Sequence, residues 1–370
     1  MLYKNAYIFT DGKFQYGSFR VANGRFTQVL DPVPEEEGTD LKKAYVIPGL
    51  VDVHIHGAMG ADFSDGDYEG LVKMAGYLAQ KGVTSFAPAS MTLPYDTLAK
   101  AFSTGKKLRD AQPAGCANLA GIHMEGPFFS EKKKGAQNGA YLQNPDFSAL
   151  EKLQNGLIKI VDVAPELPGA EEFAKQAARV CTLSVAHTDA NYEQAKAVFD
   201  AGATHLTHLF NAMPPIHHRN PGVIGAAAEN KKVQAELICD ELHVHESAVR
   251  MAFSLFPGRI VLVSDALRCC GMPDGDYTLG GQPVHLENSI AKLPDGTIAG
   301  SATNLYQGMQ NAVKFGISRE EAILSATLNP AKAIGAEDEI GSIASGKRAD
   351  FVVCDENLNR KQVFLAGTPL

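Results

Sequence analysis

Several features that mark other classes of protein are missing from this sequence of 370 residues. No run of about 18 apolar residues occurs, so we expect no transmembrane helix. The N-terminus, MLYKNAYIFTDGKF, interrupts its apolar residues with polar ones every few positions, so we expect no secretory signal peptide. Neither a GxGxxG nor a Walker A pattern is present, and a nucleotide-binding fingerprint is therefore absent.

An excess of positive charge is also lacking. The chain carries 34 Lys and Arg against 42 Asp and Glu, a net charge of −8. Proteins that bind the phosphate backbone of nucleic acids are usually basic, so we expect no nucleic-acid partner. A local anion site is still compatible with this composition, because net charge does not describe a single pocket.

The six cysteines show neither CxxC pairs nor the spacing of a disulfide framework. Four of them lie in apolar, strand-like runs, where reduced cysteine behaves as a small hydrophobic residue. The adjacent Cys269 and Cys270 are expected to be free thiols, because neighbouring cysteines form a disulfide only with strain. We therefore predict a reducing, cytoplasmic location.

Eight apolar runs suited to buried parallel strands recur along the middle of the chain, and most are followed by a helical pattern. The runs are Ala44–Val53, Gly82–Ala87, Ala117–Ile122, Leu157–Val163, Val180–Ala186, Thr204–Leu209, Val233–Cys239 and Arg259–Val263. Such alternation predicts an α/β fold with a parallel sheet, and eight units favour a (β/α)8 TIM barrel. We place this catalytic barrel at residues 46–339.

The two ends of the chain have a different pattern, with short strands and tight turns. Asp11-Gly12 and Ala22-Asn23-Gly24 are turn signals, and similar short strands return in GSIASGKRADFVVCDENLNRKQVFLAG. We predict that residues 1–45 and 340–370 together form one small β-domain. The Gly-rich stretch LRCCGMPDGDYTLGGQ is expected to lack regular structure and to act as a mobile lid.

Histidine and acidic side chains follow most of the predicted strands. In a barrel, the C-terminal ends of the strands meet on one face, so these side chains would converge on one pocket. They include His54, His56, His123, Glu125, His187, His205, His208, Asp240, His243 and Asp265.

This mixture of side chains is typical of a metal centre. Imidazole and carboxylate together suit zinc, or else iron, manganese or cobalt. Three protein ligands with an open position indicate a catalytic ion, and we assign Glu125, His187 and His208 to it. His54 and His56 alternate on a strand and face the same way, so they can hold a second ion that Glu125 bridges. Asp265 is then free to act as the acid and base.

Each of these residues taken alone has a simpler interpretation. A single histidine at a strand end is more often a hydrogen-bonded structural group than a ligand, and an isolated Asp265 could cap a helix. Their joint position after the predicted strands favours the site. The remaining histidines are expected to have core, loop or surface roles: His205, His217, His218, His245 and His285.

Several motifs occur in a fixed order: PGLVDVHIHG, HMEGPFFSEKKKGAQ, VAHTDA, THLFNAM, DELHVH, SDA, TLNPAKAIG and GSIASGKRADFVV. In this order the chain resembles the N-acetylglucosamine-6-phosphate deacetylases of the amidohydrolase superfamily. The resemblance implies a phosphosugar substrate, one or two divalent ions per subunit and a homodimer. It also implies the same ligands, with His54 and His56 matching a pair that holds a second ion in some members, and Asp265 as the catalytic aspartate.

The resemblance implies a set of substrate contacts as well: Ala136, Gln137, Asn211, Ala212, Arg219, Asp240, Glu241, Leu242, His243, Ile298, Ala299 and Gly300. Gln137 stands where some members carry histidine; it can donate a hydrogen bond but cannot carry a proton charge. The sequence around Arg219 alone is typical of a solvated loop arginine. The resemblance implies instead that its guanidinium binds the 6-phosphate through two hydrogen bonds.

Three alternatives stay open at this point. Many amidohydrolases that cleave cyclic amides bridge two metals with a carboxylated lysine after the fourth strand, but Val161-Asp162-Val163-Ala164 offers no lysine there. The galactosamine epimer is a second candidate substrate. A non-catalytic sugar-phosphate-binding protein is the third, although such a protein would be expected to have lost ligands that this sequence retains.

Overall fold

The computed structural model describes residues 1–370, with 21 strands and ten α-helices. The strands are β1 Leu2–Thr10, β2 Lys13–Ala22, β3 Arg25–Asp31, β4 Thr39–Pro48, β5 Leu50–Ile55, β6 Gly57–Ala58, β7 Ala61–Asp62, β8 Val83–Pro88, β9 Asn118–Leu119, β10 Ile122–Met124, β11 Ile158–Val163, β12 Thr182–Val185, β13 His205–Leu206, β14 Gln234–Ile238, β15 Ile260–Val263, β16 Gly275–Leu279, β17 Gln282–Glu287, β18 Ile290–Lys292, β19 Phe351–Cys354, β20 Arg360–Leu365 and β21 Thr368–Pro369. The helices are α1 Tyr68–Gln80, α2 Tyr95–Ala111, α3 Phe147–Leu153, α4 Ala170–Ala177, α5 Tyr192–Asp200, α6 Gly222–Glu229, α7 Glu246–Leu255, α8 Leu305–Lys314, α9 Arg319–Ala326 and α10 Leu328–Ala333. None of these helices is both long enough and apolar enough to span a membrane.

Two parallel sheets form the centre of a mixed α/β fold. One has the strand order β10-β11-β12-β13-β14-β15, and the other has the order β5-β8-β9. The sheets meet at both edges: Ala89 forms a parallel bridge with His123, and the backbone N–H of Asp265 donates to the carbonyl of His54 at 2.9 Å. Each of the eight predicted apolar runs overlaps strands of these sheets.

Helix α1 illustrates how the sequence builds the layer outside the strands. Asp67 caps its N-terminus by accepting a hydrogen bond from the backbone N–H of Gly70. The buried positions recur every three to four residues, as one face of a helix requires. They are Leu71, Met74, Ala75, Leu78 and Ala79. Four segments with helical periodicity predict helices, and the structure confirms them as α1, α4, α5 and α7: YEGLVKMAGYLAQKG, AEEFAKQAARV, NYEQAKAVFDAG and HESAVRMAFSLF.

Strands from both ends of the chain share one sheet of seven strands, in the order β21-β20-β19-β4-β1-β2-β3. Both predicted turns are present, because Asp11-Gly12 and Asn23-Gly24 connect hairpins with positive φ at each central residue. Its core includes Tyr3, Phe19 and Phe351, all of them buried. The shared sheet therefore joins the two ends of the chain, while the domain boundaries at residues 45 and 340 stay a prediction.

The expectation that the Gly-rich stretch after Asp265 lacks regular structure is wrong. Strands β16, β17 and β18 form a three-stranded antiparallel sheet, and β16 lies within that stretch. Gly280 and Gly281, with φ of 55° and 83°, form the two-residue turn between β16 and β17. The glycines therefore serve a hairpin. The prediction that Cys269 and Cys270 are free thiols is confirmed, and both are buried.

Candidate metal centre and active site

Five of the predicted ligands lie together at the C-terminal ends of the parallel strands. His54 is in β5, Glu125 directly follows β10, and His187 and His208 lie two residues after the ends of β12 and β13. Two sets of side chains each bring their ligand atoms within 4.8 Å of one another, and Glu125 belongs to both. The sets are Glu125, His187 and His208, and His54, His56 and Glu125.

The first set places two imidazole nitrogens against one carboxylate oxygen. Glu125 Oε1 lies 3.3 Å from His187 Nε2 and 3.4 Å from His208 Nε2, and these two nitrogens are 3.0 Å apart. His187 Nδ1 donates to the carbonyl of Lys133 at 2.8 Å, which fixes the ring and directs Nε2 into the site.

The second set lies on the other side of Glu125. His56 Nε2 is 3.3 Å from Glu125 Oε2, and His54 Nε2 is 3.5 Å from Glu125 Oε1. Asp265 Oδ1 lies between these imidazoles, 3.6 Å from His54 Nε2 and 3.3 Å from His56 Nε2. Asp265 therefore belongs to the His54–His56 side of the site.

The residues present fit a divalent ion. All these side chains are buried, and His54 Nε2 has no hydrogen-bond partner within the chain although it faces two carboxylates. Buried polar groups are normally hydrogen-bonded or coordinate a metal. Nitrogen and carboxylate oxygen donors on both sides of one bridging carboxylate match the preference of zinc and similar borderline ions.

The electrostatics of the site point the same way. Burial disfavours the charged form of His56, but Asp265 and Glu125 outweigh it and raise the pKa of His56 to about 10. Burial likewise opposes ionisation of Glu125, but His54, His187 and His208 bring the pKa of that carboxyl well below its usual range. The carboxylates thus attract positive charge into the site, and an ion competes with protons for the imidazoles.

Three of the converging residues have a backbone conformation that L-residues rarely adopt. The φ angles of His187, His208 and Asp265 are 44°, 30° and 47°. Such conformations cost on the order of 1–3 kcal/mol each and cluster at functional sites. Here they redirect the chain immediately after a strand, so that the side chain faces the centre of the site.

A cavity of about 240 Å³ opens above the cluster. The predicted substrate residues that line it are Ala136, Gln137, Asn211, Ala212, Leu242, His243, Ile298 and Gly300, beside His56, Glu125, His187, His208 and Asp265. The predicted substrate residues outside the lining are Arg219, Asp240, Glu241 and Ala299. No lysine or arginine lines this cavity.

The residues outside the lining have other contacts. Asp240 Oδ2 accepts a hydrogen bond from His243 Nδ1 at 2.6 Å and so orients a residue that does line the cavity. Glu241 pairs with Lys314, and Arg219 is exposed, with Nη1 2.7 Å from His218 Nε2. Ala299 is buried and donates its backbone N–H to Ala291.

Gln137 uses both ends of its amide within the protein. Its Nε2 donates to Glu125 Oε2 at 2.8 Å, and its Oε1 accepts from the backbone N–H of Thr92 at 2.7 Å. Gln137 therefore orients the shared carboxylate as well as lining the cavity. Sequence reasoning missed this contact, because a loop glutamine gives no signal of its partner.

The loop after β13 borders the cavity through His208, Asn211 and Ala212. His208, Phe210 and Ala212 alternate with residues of negative φ, with φ angles of 30°, 78° and 52°. Such alternation occurs in anion-binding backbone nests. Here, however, the N–H groups of His208 and Leu209 donate to Glu236, and that of Asn211 donates to the carbonyl of His208. The N–H of Ala212 donates no hydrogen bond within the chain.

Sequence reasoning also missed Glu236, which lies in β14 and is completely buried. Its Oε2 accepts a hydrogen bond from His54 Nδ1 at 2.8 Å. The available signal was a lone carboxylate in the apolar run of QAELICD, because such a group needs a partner. The expected core role of His205 agrees with its full burial beside Glu236.

Known proteins are similar to this chain in sequence and in structure. The profile of the Amidohydrolase family matches residues 45–370. An N-acetylglucosamine-6-phosphate deacetylase of Bacillus subtilis (strain 168) is 35% identical over 366 residues, covering 95% of this chain and 92% of that one. An N-acetylgalactosamine-6-phosphate deacetylase of Escherichia coli O157:H7 is 33% identical, covering 94% of this chain and 93% of that one.

Solved structures of N-acetylglucosamine-6-phosphate deacetylases are also similar to this structure over the whole chain. A mutant N-acetyl-D-glucosamine-6-phosphate deacetylase from Mycobacterium smegmatis, in complex with N-acetyl-D-glucosamine-6-phosphate, superposes with a TM-score of 0.93 at 31% identity, covering 100% of this chain and 98% of that one. The N-acetylglucosamine-6-phosphate deacetylase of Thermotoga maritima superposes with a TM-score of 0.90 at 30% identity, covering 100% and 99%.

Proposed function

The chain belongs to the amidohydrolase family, and we propose that it is a metal-dependent hydrolase acting on N-acetylglucosamine 6-phosphate. It cleaves the acetyl amide to give glucosamine 6-phosphate and acetate. The observation that carries this proposal is the cluster of Glu125, His187 and His208, with Asp265 beside it at the base of a cavity. The names of the relatives from Bacillus subtilis and Mycobacterium smegmatis support the choice of substrate.

We assign Glu125, His187 and His208 to one divalent ion, and His54, His56 and Glu125 to a second. Zinc suits this donor set best, with iron, manganese and cobalt as the alternatives. When bound, such an ion polarises the amide carbonyl and lowers the pKa of water, which makes water a better nucleophile.

Asp265 supplies the proton transfers of the reaction. Burial raises the pKa of its carboxyl, but the nearby imidazoles of His54 and His56 lower this pKa by a larger amount. The net pKa of Asp265 therefore lies below the usual range. The carboxylate is therefore ready to accept a proton from the attacking water. It then delivers this proton to the departing nitrogen, because an amine anion is a poor leaving group. Gln137 holds Glu125 in place while His243 faces the substrate.

The phosphate is bound at the loop after β13 and by Arg219. Support comes from the backbone N–H of Ala212, which lies at the cavity and donates no hydrogen bond within the chain, and from the fork of donors that a guanidinium offers. Arg219 is exposed and outside its own cavity. We therefore propose a homodimer in which Arg219 of one subunit reaches the cavity of the other. Binding energy at the phosphate then positions the distant amide.

We extend the proposal to the architecture and location of the protein. The two parallel sheets, which meet at both edges, are assigned to one (β/α)8 barrel over residues 46–339, and residues 1–45 and 340–370 to a small β-domain. A cytoplasmic location is supported by six free cysteines.

One alternative substrate is favoured by a specific observation. The Escherichia coli relative named for the galactosamine epimer is nearly as similar, at 33% identity, as the Bacillus subtilis relative named for the glucosamine form, at 35%. The two sugars differ in the configuration of one hydroxyl-bearing carbon, so discrimination between them depends on the hydrogen bonds that the cavity makes to that hydroxyl.

The test is acetate release from three sugars by the purified protein: N-acetylglucosamine 6-phosphate, N-acetylgalactosamine 6-phosphate and unphosphorylated N-acetylglucosamine. We expect fast release from the first only. Faster release from the second would transfer the assignment to the epimer, and equal release with and without phosphate would remove the phosphate site. Tight binding of all three without release would indicate a non-catalytic binding protein.

A further inference from the structure

A layer of ionisable side chains lies directly behind the proposed metal ligands, and the mechanism above does not use it. Glu236, at its centre, is completely buried in β14. A buried carboxylate is costly unless donors surround it. Glu236 has three of them: His54 Nδ1 at 2.8 Å, His205 Nε2 at 3.1 Å and the backbone N–H of His208 at 3.2 Å.

The contact with His54 determines how that imidazole faces the site. A carboxylate only accepts hydrogen bonds, so the proton lies on His54 Nδ1. In the neutral ring the other nitrogen, Nε2, then carries the lone pair that an ion can take, and it points toward Glu125 Oε1 and Asp265 Oδ1 at 3.5 and 3.6 Å. Partners of this kind fix the tautomer and the orientation of metal-binding histidines.

Glu236 Oε2 also contacts the backbone of a residue in the other ligand set, which consists of Glu125, His187 and His208. Glu236 Oε2 accepts the N–H of His208, a residue with the unusual φ of 30°. One side chain thereby touches a ligand from each half of the site. Of these two ligand contacts, only that with His54 reaches the imidazole ring. The contact with His208 reaches main chain, and His208 Nε2 lies beside His187 Nε2 at 3.0 Å.

The layer does not itself form an ion site. His54, His123 and Glu236 have ligand atoms within 4.8 Å of one another. However, His54 Nδ1 donates to Glu236, and His123 Nδ1 donates to the carbonyl of Val53 at 3.1 Å. Both facing nitrogens thus carry hydrogens. His123 Nε2 contacts Asp162 at 3.0 Å, which continues the network away from the site.

We propose that Glu236 is a positioning residue that orients His54 and thereby sets the affinity of the His54–His56 half of the site for its ion. The ion held by Glu125, His187 and His208 depends on it much less. This inference rests on the proposed metal-dependent function, because it assumes that the two ligand sets each bind an ion. Glu236 thus determines whether the site holds one ion or two.

Two substitutions separate its contributions. Glu236→Gln keeps an oxygen that can accept from His54 Nδ1 but removes the charge, whereas Glu236→Met removes the acceptor at similar volume. We expect one of the two ion affinities, that of the His54–His56 half, to fall by about 10–100-fold in Glu236→Met, with a smaller loss in Glu236→Gln and little change in the other affinity. Asp350→Asn is the matched control, because Asp350 is also a buried acid but contacts Arg348 and the N–H of Ala366 in the sheet formed by both chain ends.

The measurement is ion stoichiometry and affinity on metal-free protein titrated with Co²⁺ and with Zn²⁺, followed by elemental analysis and by Co²⁺ absorption. The proposal expects two ions in the native protein and in Asp350→Asn, but one at the same concentration in Glu236→Met. Two ions bound with unchanged affinity in a folded Glu236→Met would overturn it, as would loss of both ions together.

The failure of this proposal and of the proposed function can be told apart. A native protein that binds one ion and releases acetate contradicts only the role of Glu236, whereas one that binds none contradicts the metal-dependent function itself. If Glu236→Met does not fold, Glu236→Gln decides by the same criterion: an unchanged second affinity overturns the proposal, and a measurable loss supports it.

Discussion

Asp265 is the single residue on which the proposed chemistry depends most. It lies within 3.6 Å of both His54 Nε2 and His56 Nε2, in a left-handed backbone conformation that aims its carboxylate at the cavity. We predict that Asp265→Asn keeps its fold and its substrate affinity but loses about 10²–10⁴-fold in turnover, because the amide cannot transfer the proton. Turnover close to that of the native protein would remove Asp265 from the mechanism.

The hydrogen-bonded pair of Asp240 and His243 is expected to make the stability of the protein depend on pH. Burial disfavours charge on both groups, but their 2.6 Å hydrogen bond outweighs it, lowering the pKa of Asp240 and raising that of His243. The contribution of His243 to stability is complete below about pH 6.5 and is lost as pH rises through its raised folded pKa. That of Asp240 is present above about pH 3.9 and is lost as pH falls through its lowered folded pKa.

Asp240→Asn should therefore return the pKa of His243 toward its ordinary value or below it, as an NMR titration of the ring would show. The stability difference between the two proteins should shrink as pH rises past the native pKa of His243. Glu241→Gln is the control, since Glu241 is an exposed neighbour that pairs with Lys314. A native His243 that titrates at or below pH 6.5 would contradict the pairing.

At this scale the sequence predicted which side chains converge but not the partners that hold them. Glu125, His187 and His208 are recognisable because each follows a predicted strand, and strand ends converge in parallel α/β folds. Glu236 and Gln137 act through contacts between residues far apart in the chain, at positions 54 and 125. Such contacts depend on side-chain packing in the folded protein, and the pattern of a single sequence does not predict which distant side chains are in contact.

Among the elements, strand β19 joins the two ends of the chain. It pairs with β4 on one side and with β20 on the other. Phe351, at its start, is completely buried and stacks on Phe364 at 4.2 Å, with Tyr3 and Phe19 edge-on at 5.3 and 5.1 Å. Aromatic packing of this kind contributes beyond the apolar area that it buries.

We predict that Phe351→Ala lowers the free energy of unfolding by about 3–5 kcal/mol, since it leaves a cavity among three aromatic rings. Chemical denaturation measures this loss. Met251→Ala, at a position 55% exposed on α7, should change stability by less than about 0.5 kcal/mol. A loss below about 1 kcal/mol for Phe351→Ala would show that this sheet contributes little to the stability of the fold.

Secondary-structure elements were predicted correctly where neighbouring residues alone determine them. The prediction failed where glycines fit either a hairpin turn or an irregular loop. Asn23-Gly24 was correctly predicted as a turn because strand-like residues flank it on both sides. Gly280-Gly281 forms an equivalent turn between β16 and β17, yet the surrounding glycines and polar residues suggested an irregular segment. The difference arises because Leu279, Val284 and Leu286 are buried only through contacts with distant residues such as Met91.

For the whole molecule, the order of the strands in the sheet was predictable. Which side chains reach the cavity from outside its immediate lining was not. Alternating strands and helices indicate parallel neighbours in sequence order, as in β10 to β15. The residues around Arg219 alone predicted a solvated loop arginine, and Arg219 is indeed exposed and outside the cavity of its own chain, whereas the phosphate contact came only from the resemblance. The position of a loop side chain relative to a second subunit is not encoded in local pattern.

The central claim is that the buried histidines and Glu125 act by binding an ion needed for amide cleavage. Its most direct test is acetate release from N-acetylglucosamine 6-phosphate by protein stripped with a chelator, verified free of metal, and then titrated with Zn²⁺ or Mn²⁺. We predict that release falls to background in the stripped protein and returns in proportion to the ion bound, saturating at one or two equivalents per chain. Undiminished release by verified metal-free protein would contradict the account.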